Sequence, residues 1–201
     1  MTLHMQHFDY QGKAVCGLDE AGRGCLAGPV FAAAVILHSN DIPRGLNDSK
    51  KLSESRRLAL RAEIENRAQA WAVASVDASL IDEINILQAS IRAMHLAVAQ
   101  LEVSPALLLV DGNRFHPYPG IPHQLVIRGD ATYSCIAAAS ILAKTYRDDW
   151  MKEAHKLYPG YDWEHNKGYP TARHIAALEI QGASPLHRKS FVVRKQLRFP
   201  F

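Results

Sequence analysis

At 201 residues, with 48% hydrophobic and 21% charged residues, the chain is long enough for one sizeable core and has an ordinary globular composition. Its net charge of +3 permits a polyanionic partner without requiring one. Cys16, Cys25 and Cys135 are odd in number and far apart, which argues against a disulfide framework and for a reducing compartment. Residues 1–10 lack a basic region followed by an apolar one, and the longest mostly apolar stretch, 136–143, is far too short to span a bilayer. A cytoplasmic protein with no membrane attachment is therefore expected.

In chain order, apolar β-rich runs at 14–18, 29–37 and 71–76 predict three strands, and those at 106–110 and 124–127 predict two more. Ser53 is placed to cap a helix running to about residue 68. Ile84, Leu87, Ile91, Met94, Val98 and Leu101 recur every three or four residues and predict one amphipathic helix. Further helices are expected over 131–147 and over 172–181, the latter stopped by Gly182. Three strands first, then strands alternating with helices, imply an α/β sheet with an antiparallel start and parallel additions. Helices close the carboxyl end.

Asp19 and Glu20 stand side by side where the first run gives way to Ala21-Gly22-Arg23-Gly24. Two carboxylates at roughly 4 Å and an effective dielectric near 20 repel by about 4 kcal/mol. Protonating one of them relieves that cost, and so does a hard cation such as Mg²⁺ or Mn²⁺. Asp111 follows the fourth run, and Asp130 follows the fifth. Each acid also has a plainer reading: a solvated strand edge for Asp19 and Glu20, a turn for Asp111, a helix cap for Asp130. Four acids at related strand ends nevertheless fit a carboxylate cluster holding two divalent cations.

The blocks Gly17-Leu18-Asp19-Glu20-Ala21-Gly22-Arg23-Gly24, Leu46-Asn47-Asp48-Ser49-Lys50-Lys51-Leu52 and Val110-Asp111-Gly112-Asn113 are similar to motifs of bacterial ribonuclease HII, the type 2 ribonuclease H family. So are Gly129-Asp130 leading to Ser140-Ile141-Leu142-Ala143-Lys144, Asn166-Lys167-Gly168-Tyr169 and His187-Arg188-Lys189-Ser190-Phe191. The resemblance implies a ribonuclease H-like fold, with a central five-stranded mixed sheet flanked by helices and a helical carboxyl-terminal extension. It reads residues 1–201 as a single catalytic domain whose last part, from about 150, is helical and basic. It implies metal-dependent cleavage of RNA in RNA–DNA hybrids and at ribonucleotides embedded in duplex DNA, leaving 5′-phosphate and 3′-hydroxyl ends.

Carried over residue by residue, Asp19, Glu20, Asp111 and Asp130 would be catalytic and hold the divalent metal, Mn²⁺ or Mg²⁺. Gly22, Arg23 and Gly24 would contact ribose and phosphate at the RNA-to-DNA junction, with Tyr169 against the ribose. Asn47, Ser49 and Lys50 match the loop that contacts the nucleic-acid backbone. Cys25 stands where the family often has proline, and Arg128 where lysine is frequent.

The remaining features receive plainer readings. No histidine shows zinc-ligand spacing, so each is taken as structural or solvated. Ser49, Ser140 and Ser190 have no triad context. Tyr158, Tyr161 and Trp163 read, without the resemblance, as a packed surface loop. Residues 196–201, Gln-Leu-Arg-Phe-Pro-Phe, either fold back onto the core or dock on a partner, and they somewhat resemble a sliding-clamp-binding motif. A monomer is expected. A junction nuclease of related fold and a non-catalytic nucleic-acid binder remain as rivals.

Overall fold

The computed structural model describes residues 6–8 and 10–191. Five strands form one sheet: β1 (Val15–Ala21), β2 (Val30–Leu37), β3 (Ala68–Val76), β4 (Leu107–Asp111) and β5 (His123–Val126). They lie in the order β3-β2-β1-β4-β5. β1 runs antiparallel to β2 and parallel to β4, β2 antiparallel to β3, and β4 parallel to β5. This is the mixed sheet that the pattern of runs implied.

Side chains alternate across a strand, and both faces of the central strands are covered. Val15 and Ala21 of β1 join Leu107 and Leu109 on one face, against α1 (Glu54–Arg67) and α3 (Ser134–Leu157). Cys16 and Leu18 face the other way with Leu108 and Val110, against α2 (Ala78–Ala99). Burying each large aliphatic side chain in these layers contributes about 1.5–3 kcal/mol. That is why β1 and β2 read as continuous apolar runs. A smaller cluster of Ala27, Met151, Ala154, Tyr161 and Trp163 carries α4 (Trp163–Asn166) and α5 (Ala172–Gln181).

The helix starts follow local chemistry. Ser53 accepts from the Arg56 amide, Asp77 from Leu80 and Thr171 from His174, each satisfying an orphan donor. Gly182, with φ +73°, follows α5 as expected.

Four expectations are corrected. β1 does not end before the acids. It continues through Asp19 and Glu20 to Ala21, because β2 is long enough to pair Asp19 with Ala33 and Ala21 with Phe31. Asp130 does not cap α3; it lies in a short 3-10 turn, Gly129–Ala131, and the helix starts later, at Ser134, and runs on to Leu157. Within α2, Asn85 takes φ +67° and breaks the helix, its side chain accepting from the Leu87 and Gln88 amides. The segment with Tyr158, Tyr161 and Trp163 is no surface loop: Trp163 is fully buried, and Tyr161 stacks on it at 5.1 Å.

Candidate active site

The site is built at the carboxyl ends of β1 and β4, which point the same way because the two strands are parallel. Adjacent residues of β1 face opposite layers, so Asp19 turns toward α3 and Glu20 toward α2. α3 can lie close because Gly17 has no side chain. A Cβ there would sit 2.2 Å from the Cys135 carbonyl carbon. That approach brings Ser140 and Lys144, one helical turn apart, over the acids.

Asp19, Glu20 and Asp111 line one cavity of about 220 Å³ together with Gly22, Arg23, Gly24, Ser49, Lys50, Ser140, Lys144 and Tyr169. Asp19 is only 6% exposed. Its carboxylate accepts from the Glu20 amide at 2.7 Å. Burial, then the charges of Glu20 and Asp111, hold its pKa well above the ordinary value, with the Ser140 hydroxyl partly opposing the rise. Glu20 is raised by burial, and Arg23, at 3.1 Å, opposes that. Asp111 accepts from the Gly129 amide at 2.7 Å, yet burial still raises it. Asp130 is raised by burial and then by Asp111. Asp111 is thus the acid that the other three all feel.

The substrate-facing candidates divide. Gly22 has φ +98°, and a Cβ there would meet the Arg147 side chain at 2.0 Å, so the turn accepts only glycine. Lys50 is exposed, and its charge bears on Glu20, Asp111 and Asp130. Tyr169 is 37% exposed, with its ring face near Lys144 and Arg147. Ser49 is buried, its hydroxyl 2.9 Å from that of Ser140. The Asn47 side chain accepts from the Asp48 amide and is not part of the cavity wall. Asp130 also lies outside the wall, half-buried beside Asp111.

Several residues that shape the site carried no separate signal in the sequence. Arg147, buried, donates to the carbonyls of Ala27, Pro29 and Lys167 at 2.8–3.1 Å. Arg188, which stands in the motif block 187–191 but had no role assigned there, donates to those of Arg23 and Gly28. His174 donates from Nδ1 to the Tyr169 carbonyl at 2.9 Å. Ser140 and Lys144 stand in a recognisable block, but only their stride of four on α3 marks them as facing the acids.

The family model described as ribonuclease HII matches residues 16–195. The chain belongs to the ribonuclease HII family. A ribonuclease HII of Bacteroides thetaiotaomicron is 61% identical over 87% of this chain and 88% of that protein. One of Dechloromonas aromatica is 58% identical over 88% and 90%. Among solved structures, ribonuclease HII of Archaeoglobus fulgidus, in a complex with PCNA, superposes with a TM-score of 0.77 at 25% identity, over 91% of this chain and 97% of that one. A Bst ribonuclease HIII in complex with Mn²⁺ shares the fold at TM-score 0.65 and 17% identity, over 85% of this chain and 63% of that one. Ribonuclease HII membership makes this protein a ribonuclease H, an endoribonuclease.

Proposed function

We propose that this ribonuclease H works with divalent metal ions, cuts the RNA strand of RNA–DNA hybrids, and cuts 5′ of ribonucleotides embedded in duplex DNA. The observation that carries the reading is convergence. Residues 19–24 and 49–50 with Asp111, Ser140, Lys144 and Tyr169, distant in sequence, line one cavity that gathers three carboxylates, three cationic side chains and an aromatic ring.

The donor set fits a hard cation. Every candidate ligand is a carboxylate oxygen, and among the described residues no three His, Cys, Asp or Glu are already gathered tightly enough to hold an ion. Asp19, Glu20 and Asp111, with Asp130 beside them, would hold it. Such ions, when bound, supply charge neutralisation and activate water for phosphodiester hydrolysis. Mn²⁺ bound to a protein of the same fold supports this reading, and the oxygen ligands suit Mg²⁺ equally.

The protein's own groups do the rest. The bare backbone of Gly22-Arg23-Gly24 lets a ribose approach, and the 2′-hydroxyl it would meet is the group that separates RNA from DNA. The Tyr169 ring packs on the sugar. Arg23 and Lys50 hold phosphates without reading sequence. Ser140 steadies the Asp19 carboxylate, and the Gly129 amide steadies Asp111.

The decisive test uses a duplex with one ribonucleotide. Cleavage should require Mg²⁺ or Mn²⁺, fail with Ca²⁺ and leave a 3′-hydroxyl. Asp111→Asn keeps the oxygen that accepts from Gly129 but removes the charge. It should lower the rate at least a hundredfold, since such electrostatic contributions run to several kcal/mol. Full activity in EDTA, or near-parental activity of Asp111→Asn, would overturn the metal reading. Cutting of a four-way DNA junction lacking ribose would favour the junction nuclease instead.

The Archaeoglobus relative was solved with PCNA, which supports clamp binding, and the segment proposed to dock is the tail at 196–201. That tail lies outside the described residues. Its deletion should weaken clamp binding and leave cleavage of short duplexes unchanged. A reducing, cytoplasmic setting is in keeping with three buried free thiols.

A further inference from the structure

A second cavity, of about 190 Å³, opens on the other side of the acids and shares Glu20, Arg23 and Asp111 with the first. Leu87, Ile91 and Met94 of α2 form its floor, and Asn113 and Arg114 its rim. It runs on into a shallower groove of about 510 Å³ that shares Leu87, Ile91, Asn113 and Arg114 and extends past Phe115 to Leu125. Beyond Glu20 and Asp111, no acid lines either part.

The groove is held open by specific contacts. His116 Nε2 lies 2.9 Å from Gln88 Oε1, and His95 Nε2 lies 2.9 Å from the His116 carbonyl. His95 also meets the Phe115 ring edge-on at 5.0 Å. These contacts fix the β4–β5 loop to α2. The break at Asn85 starts a fresh helical turn at Leu87, where the floor begins. Arg114 is exposed on this fixed loop and makes no hydrogen bond or ion pair with a described residue.

We propose that this groove receives the DNA strand 5′ of the cut, with Arg114 on the first phosphate upstream of the scissile one. The inference rests on the proposed function. If the ribose sits by Tyr169 and the bond 5′ of it lies at the acids, the preceding deoxynucleotide crosses the line of Glu20 and Asp111. It then enters the second cavity, which shares those acids and opens beyond them. The apolar floor packs against sugar carbons, and a guanidinium suits a phosphate. Such contacts position the strand without selecting its sequence.

The test is a coupling experiment on a duplex carrying one ribonucleotide. Neutral methylphosphonates replace, one at a time, the three phosphates upstream of the cut and two downstream. Arg114→Gln should raise KM about tenfold, leave kcat within about threefold, and lower the salt dependence by about one phosphate contact. In the parent, a methylphosphonate at the first upstream phosphate should do the same. Combining the two should add nothing further, while downstream substitutions should affect both proteins equally. Multiplying losses at every upstream position, or a parental KM for Arg114→Gln, would overturn the assignment. Failure of the parent to cut the unmodified duplex would sink the function itself, so the two failures are told apart.

Discussion

Arg188 donates from Nη1 to the main-chain carbonyl of Arg23 over 3.0 Å, across 165 positions of sequence. Its Nε donates to the Gly28 carbonyl at 2.9 Å. The side chain is 2% exposed, and burial pushes its pKa down to about 10. The glycine turn that faces the cavity is therefore held from behind by a residue far along the chain.

Arg188→Met leaves both carbonyls without these donors. Loss of charge-assisted bonds costs about 1.5–3 kcal/mol each, partly offset by no longer burying a charge. A fall in melting temperature of roughly 5 °C is expected for a chain of this size. At 25 °C, where both proteins are folded, kcat/KM should fall about tenfold on a single-ribonucleotide duplex and less on long hybrids. A lowered melting temperature with an unchanged ratio between substrates would make Arg188 structural only.

Tyr169 tests recognition of the sugar. Its ring packs partly exposed at the cavity, and its hydroxyl lies against Cys25. Tyr169→Ala should cost about ten- to a hundredfold in kcat/KM on the single-ribonucleotide duplex, the scale of a lost stacking partner. Tyr169→Phe keeps the ring and should stay within about threefold. Equal activity of Tyr169→Ala and the parent would reduce Tyr169 to a packing residue.

His174 and His187 give the fold an acid-sensitive point. The Ser184 amide donates to His187 Nδ1 at 2.9 Å, so the His187 proton sits on Nε2, 3.1 Å from His174 Nε2. A second proton on His187 would confront that amide. Burial, then His174, lowers the His187 pKa from 6.5 to about 4. Between those values the unfolded chain binds a proton that the folded one refuses. The contribution is whole above pH 6.5, falls as pH drops toward 4, and amounts to about 3 kcal/mol. The raised carboxylates of the cleft act with the opposite sign, so the comparison must be between variants. Urea unfolding at pH 7 and pH 4.5 should show a smaller acid loss in His187→Gln than in the parent; parallel losses would remove His187 from the acid response.

Gly17 tests the close approach of α3 to β1. A methyl group there meets backbone on the helix, at 2.2 Å from the Cys135 carbonyl carbon and 2.4 Å from the Ile136 nitrogen, so no side chain can swing aside. Gly17→Ala should cost about 1–3 kcal/mol of stability. It should also lower activity, because the helix that must shift carries Ser140 and Lys144. An unchanged urea midpoint would show that the helix yields freely.

Local pattern alone determined much of this protein. Apolar runs marked the strands, most clearly β1, β2 and β4, whose two faces are both buried, and the stride of Ile84, Leu87, Ile91 and Met94 marked α2. The motif blocks around Asp19, Asp111 and Tyr169 pointed to the family. The tertiary structure decided what depends on neighbours distant in sequence. Pairing with β2 carried β1 through Asp19 and Glu20, turning one acid toward each layer. Asn85 broke α2 without disturbing its apolar stride, so hydrophobic spacing had no way to register it. Arg147, Arg188 and His174 look like solvated side chains in sequence. They are buried because main-chain carbonyls of the site's turns converge on them, and that convergence exists only once the chain is folded.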